Sequence, residues 1–305
     1  MFPVVIKLAS ETEQIIRILF QPLIFQIVRW FSSSRVYEHP EVESLLDALI
    51  DGASSRNNSG LREMCSNAVA EFAKWSLKQM SDKDIKENPN NIKSLIRRIE
   101  SNANHPDPFK RLSAVLCFNK IFQIIREFDP LVDRFCLEIT HCVLGSLKMC
   151  HNSLEFSQEV IDNCSKLLEK IQKVITRKAG MLMQPNPKRS THSIPSLKFF
   201  VLYLFDKFTS VETVCRRECM KLWEAIVRNL PPKNPDQMPD NPKDWILLYN
   251  PKVRGDKTIF RKLQKINFSD ENRENGIQSA KPQKYGGSRM RKLQDGQKQL
   301  DLLAA

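Results

Sequence analysis

Four side chains with metal-binding chemistry stand close together in the sequence: His141, Cys142, Cys150 and His151. Imidazole nitrogen and thiolate sulfur are the donors of tetrahedral zinc sites. On a helix, where successive residues turn by about 100°, these four directions spread around the axis and do not converge. Buried or incidental packing roles are therefore expected, and neither a metal nor any other cofactor is implied. The eight cysteines, at 65, 117, 136, 142, 150, 164, 215 and 219, include no C-x-x-C pair. Most fall within apolar helical patterns, where a free thiol behaves as a small hydrophobe, and this usage points to a reducing compartment.

Phosphoryl transfer needs its own set of residues, and they are missing. There is no D-F-G, no H-R-D-type catalytic loop, and no glycine-rich loop followed by a strand lysine. Glycine is scarce, with 9 in the chain and only Gly145 between residues 61 and 179. Taken alone, the chain is not expected to be an enzyme.

Anion binding is the chemistry the composition does favour, since Lys and Arg total 47 against 35 Asp and Glu, a net charge of +12. Lys110 with Arg111, and Arg216 with Arg217, stand at predicted helix starts, where positive charge opposes the helix dipole. A compensating partner is expected: an acidic group of an adjoining helical repeat or, in the sharper alternative, a phosphate backbone along a concave face. Lys188 and Arg189 lie in RKAGMLMQPNPKRSTH (177–192), which reads as a long inter-repeat loop because Pro185 and Pro187 block helix continuation. Residues 231–305 carry 15 Lys and Arg against 9 Asp and Glu, so about half of the net charge sits in the last quarter. Within it, Arg289, Arg291 and Lys292 follow Tyr285, as in a weak electrostatic nucleic-acid binder. This proline-containing basic stretch, 231–305, is expected to be a solvated, disordered tail, with the nucleic-acid binder as the alternative.

The elements that must position these groups are helices. Hydrophobic residues make up 41% of the 305 positions, enough for a sizeable core, and apolar residues recur at intervals of three and four. Aligned with itself, the chain shows one pattern repeatedly. GLREMCSNAVAEFAKW, FKRLSAVLCFNKIF and VCRRECMKLWEAIV each place a small residue three positions after an arginine (Arg62, Arg111, Arg216). Large apolar residues follow four and seven positions later. The small residues are Cys65, Ala114 and Cys219; a fourth copy, EVIDNCSKLLEKI, supplies Cys164 without the arginine. Between the copies lie partner helices at 42–50, 91–102, 131–150 and 195–208. The reading is an all-α, HEAT-like solenoid of helical hairpins over residues 1–230, in which the small residues mark close helix approach.

The N-terminal MFPVVIKLASETEQ lacks a basic n-region and a cleavage-like site, so it is a poor signal peptide. The apolar run IIRILFQPLIFQIVRWF (15–31) is interrupted by Arg17, Gln21, Pro22, Gln26 and Arg29, which makes it a poor membrane span. Two packed helices joined or kinked at Pro22, with the polar residues on the solvated side, are expected instead.

LFQPLIFQIVRWF (19–31), EFAKWSLKQM (71–80), residues 91–138 around HPDPFKRL, and CSKLLEKIQKVITRK (164–178) resemble the helical part of a phosphatidylinositol 3-kinase-related kinase, well before the kinase domain. The resemblance is to the branch of that family that joins DNA ends, and it covers roughly residues 10–230, fading afterwards. It implies a scaffold segment of a large nuclear serine/threonine kinase in double-strand-break repair by non-homologous end joining. The implied partners are the remainder of that kinase chain, the Ku heterodimer and DNA ends, with no membrane. Two other readings stay open: a free-standing helical adaptor for protein partners, and a nucleic-acid binder acting through the basic tail.

Overall fold

The computed structural model describes residues 1–33, 39–150, 157–184, 186–189 and 196–229, and among them it is helical without strands. Two compact units are distinguished, residues 1–200 and 201–305.

In the first unit the chain runs α1 (Phe2–Leu8), α2 (Gln14–Ser32), α3 (Pro40–Ala53), α4 (Ser59–Gln79), the short α5 (Asp82–Glu87), α6 (Asn90–Ala103), α7 (Pro108–Ile125), α8 (Asp129–Lys148), α9 (Ser157–Arg177) and α10 (Ala179–Met183). Contacts sort these helices into two layers. α1, α3, α6 and α8 pack in series on one side; α2, α4, α7 and α9 pack in series on the other; α3 with α4, α6 with α7, and α8 with α9 close the hairpins. This is the stacked-hairpin solenoid that the repeat predicts, with α1 and α2 as a first hairpin that the repeat alignment does not include.

Helix starts follow from local chemistry. Asn58 accepts the Leu61 N–H at 2.8 Å ahead of α4, and Ser81 accepts the Asp84 N–H at 3.2 Å ahead of α5. Ahead of α7, Asp107 accepts the Phe109 N–H at 3.0 Å, Pro108 occupies the first turn, and His105 Nδ1 accepts the Asp107 N–H at 3.0 Å. The carboxyl of Asp107 is held below its ordinary value: burial works against its charge, but the Phe109 N–H and the Arg56 guanidinium outweigh it.

The small-residue register is borne out. Cys65, Ala114, Cys164 and Cys219 are fully buried, and the large residues four and seven positions on are buried too: Val69 and Phe72, Phe118 and Ile121, Leu168 and Ile171, Trp223 and Ile226. Two of the small residues touch the partner helix of their own hairpin. A Cβ added to Gly52 on α3 would lie 2.6 Å from Cys65 Sγ on α4, and Cys164 Sγ on α9 lies 3.9 Å from the Val143 carbonyl oxygen on α8.

The second unit contains the C-terminal part of α11 (Leu197–Asp206), a 3-10 turn at Lys207–Thr209 and α12 (Thr213–Asn229). Phe208 meets Trp223 edge to face at 5.7 Å, fixing the turn against α12.

Two helices joined at Pro22 are corrected to one, while Arg17, Pro22, Gln26 and Arg29 stand exposed as expected. α2 is one helix that continues through Pro22, an exposed position. Only Ile24, Val28 and Ser32 are buried, while Ile15, Ile18, Leu19, Leu23 and Trp30 are 40 to 70% exposed, so apolar as well as polar residues face outward. By length and composition α2 can span a membrane, yet it packs on α1 and α4. Its Arg29 donates to Glu71 of α4 at 3.1 and 3.2 Å, and the Trp75 indole N–H donates to the same oxygen at 2.7 Å. Arg29 and Lys78 lie 5.2 and 4.6 Å from the Trp75 ring.

Candidate functional site

The repeated arginines are buried, and they bond backward onto the turn that precedes their own helix. Arg111 Nη1 donates to the carbonyls of His105 and Pro106 at 2.8 and 2.7 Å. Arg216 Nη1 does the same with Ser210 and Val211 at 2.7 and 3.0 Å, while its Nη2 meets Thr213 Oγ1 at 3.0 Å. Arg62 Nη1 reaches the carbonyls of Ser55 and Arg56 at 3.0 and 3.3 Å. In every case the guanidinium binds two consecutive carbonyls five to seven residues upstream, turning unpaired backbone acceptors into partners of a charged donor.

Arg111 and Arg216 thus draw compensating charge density from the carbonyls of their own turns, a source that the expectation of an acidic partner did not include. Arg62 also meets a carboxylate from another hairpin, as expected for an adjoining repeat: its Nη2 lies 3.2 Å from both oxygens of Glu159 on α9. α9 is the copy that lacks the arginine.

Arg189 follows the same logic outside the repeat. It is buried, donates to the carbonyls of Leu182 and Gln184 at 3.1 and 2.6 Å and of Asp133 at 2.8 Å, and pairs with the Asp133 carboxylate. The segment 177–192 is thus more than an exposed loop: it holds α10 and is tied to α8 through Arg189.

Among the predicted phosphate contacts, then, Arg111, Arg189 and Arg216 direct their guanidinium groups inward at carbonyls. Lys110 is half-buried, Lys188 is exposed, and Arg217 is exposed with Glu218 3.6 Å away. Arg289, Arg291 and Lys292 lie outside the described residues, as does His151. Among the described residues no group of three metal-ligating side chains is assembled. Cys117 and Cys136 are fully buried, and burial pushes both thiols up to about 12.

Surface cations do gather on both layers. On α7 and α9, Lys170 donates to Asn119 Oδ1 at 3.3 Å, and its ammonium is held below its ordinary value by burial, then by Arg126, Lys120 and Lys166. On α6 and α8, Lys93 is held low by burial, then by Arg97 and Arg134. The inward turn-binding role of the arginines was missed in sequence. The signal for it is the nearly constant interval between the arginine and a turn: Ser55, His105 and Ser210 stand seven, six and six residues before Arg62, Arg111 and Arg216.

The comparisons with known proteins agree with this geometry. The family described as DNA-dependent protein kinase catalytic subunit, CC1/2, matches residues 1–281. The DNA-dependent protein kinase catalytic subunit of Dictyostelium discoideum is 34% identical over 259 residues, covering 75% of this chain, and that of Gallus gallus is 33% identical over 250 residues, covering 80%. The mouse protein is 33% identical over 235 residues. The chain spans about 6% of the length of each of these relatives. The family match also runs past residue 230, where the resemblance seemed to fade, so residues 231–281 share in it. With the stacked hairpins and the match over residues 1–281, the chain belongs to the CC1/2 family of the DNA-dependent protein kinase catalytic subunit.

Proposed function

We propose that the chain serves as a scaffold segment of a DNA-dependent protein kinase, in the nucleus, in the repair of double-strand breaks with Ku and DNA ends. The observation that carries this reading is the family match over residues 1–281 against relatives of which the chain spans about 6%. The outward apolar stripe of α2 supports it, because a hairpin stack buries its faces only against further hairpins. The test is a chimera in which this chain replaces the matching segment of the Dictyostelium discoideum relative. Retained phosphorylation that depends on Ku and DNA ends is expected; an assembled chimera without that dependence overturns the reading.

The isolated chain should transfer no phosphate from ATP, because it has no residue set for magnesium and nucleotide. Incorporation of labelled phosphate above a buffer blank refutes this.

A second reading, nucleic-acid binding through residues 231–305, is favoured by their 15 Lys and Arg against 9 Asp and Glu. In this reading duplex DNA binds weakly, without sequence preference, and is lost between about 50 and 200 mM salt as condensed counterions cease to be released profitably. Removing residues 231–305 should abolish most of it. Salt-resistant binding kept by residues 1–230 moves the contact to the helical stack.

A further inference from the structure

A cleft of about 350 Å³ opens where α5, the first turns of α8 and the chain after α10 meet, lined by Lys86, Asp129, Asp133, Arg134, Asn186 and Lys188 among others. Its charges are not balanced within it. Asp129 is bonded by Lys178, and Asp133 by Arg189 and Asn186, so each carboxylate already has a cation of its own. Lys86, Arg134 and Lys188 remain as the lining cations not used in these pairs. Arg134 makes one long contact, 3.5 Å from Nη1 to the Glu87 carbonyl. Burial first, and then the charge of Arg97 on α6, hold the Arg134 guanidinium below its ordinary value; burial, Arg97 and Arg134 do the same to Lys93, with Glu138 as the opposing charge on both. α8 also begins here, and its N-terminal dipole adds positive potential.

We propose that this cleft binds the phosphate of a phosphorylated serine or threonine on a polypeptide. A phosphate monoester carries close to two negative charges at neutral pH and three acceptor oxygens, which suits a cleft lined by one guanidinium and two ammonium side chains from three segments. Among the described residues the apolar lining is Pro130 and Met181 and none is aromatic, so a compact phosphate fits better than a nucleotide base. The cleft opens to solvent and is not an enclosed cavity, so a phosphate carried on a peptide can enter it. Arg clusters that read phosphorylated peptides use the same chemistry.

The test titrates the full chain with a short alanine- and glycine-flanked phosphoserine peptide, its unphosphorylated twin, inorganic phosphate and duplex DNA. The phosphopeptide is expected to bind at least tenfold more tightly than its twin and than inorganic phosphate. Arg134→Gln should weaken it by about tenfold or more, the range for a lost charge-assisted contact. Because Arg134 also lies 5.5 Å from the Phe135 ring, Lys86→Gln with Lys188→Gln, both at exposed positions, serves as a second variant that keeps the fold. Lys74→Gln, on α4, should leave binding unchanged. Equal binding of both peptides, equal weakening by Lys74→Gln, inorganic phosphate as good as the peptide, or DNA alone responding to the cleft variants would each overturn the proposal.

Discussion

Arg111→Met should lower the stability of the helical stack by about 3 kcal/mol, the sum expected for two buried hydrogen bonds to a charged donor. Arg111 is 1% exposed, and its guanidinium closes the His105–Pro106 turn against the first turn of α7. Methionine fills much of the same volume, so the loss reports on the carbonyls left without their donor more than on a cavity. Arg62→Met should cost a similar amount, because it strips the carbonyls of Ser55 and Arg56 and also leaves Glu159 without this partner. Lys110→Met, one residue away and half-buried, should stay within about 0.5 kcal/mol. Urea midpoints measured on the three variants decide it. If Arg111→Met unfolded with the Lys110 variant, the arginine would be a bystander and the turn would hold itself.

Much of the architecture was legible because packing imposes periodicity on sequence. Cys65, Ala114, Cys164 and Cys219 stand out as small residues in an apolar stripe, and a helix face that meets its partner closely has to repeat such a position in every hairpin. The partner of Arg111 was not legible for the opposite reason. A carbonyl belongs to every residue and leaves no mark in the sequence, whereas an acidic side chain does, so reasoning from residue types looked for a carboxylate. Glu159 was hidden by distance, since it is 97 positions from Arg62 and comes to it only through the stacking of α4, α7 and α9. The α2 run misled because apolar periodicity reports that a face is sticky, not that anything in the same chain covers it; Ile18, Leu19 and Trp30 look in sequence like core. The continuation of the family match to residue 281 was invisible to apolar periodicity, which is sparse in the sequence after about residue 230.

Substitution at the small-residue positions separates packing from charge as the basis of the repeat. Ala114→Leu adds three carbons at a site with no exposure, between α7 and the helices stacked on it, and should cost about 1 to 3 kcal/mol through displaced neighbours. Cys164→Leu should match it, although α9 has no arginine at the equivalent position, because its thiol already sits against the Val143 carbonyl of α8. Cys65→Leu is expected at the upper end of that range: Gly52 leaves so little space that one Cβ there would come within 2.6 Å of the sulfur. Lys120 is a poor surface control, since it is half-buried and 3.9 Å from Glu63. Gln123, exposed on the same helix, is the better one, and Gln123→Leu should change stability by no more than about 0.5 kcal/mol. Urea midpoints again supply the measurement. Should Ala114→Leu and Cys164→Leu both track Gln123→Leu, the shared register would have no energetic content. Should Ala114→Leu be costly and Cys164→Leu neutral, the arginine turn rather than the small residue would define the unit. The expected outcome, equal cost with and without the arginine, assigns the repeat to helix packing and leaves the arginine as a device for holding the turn.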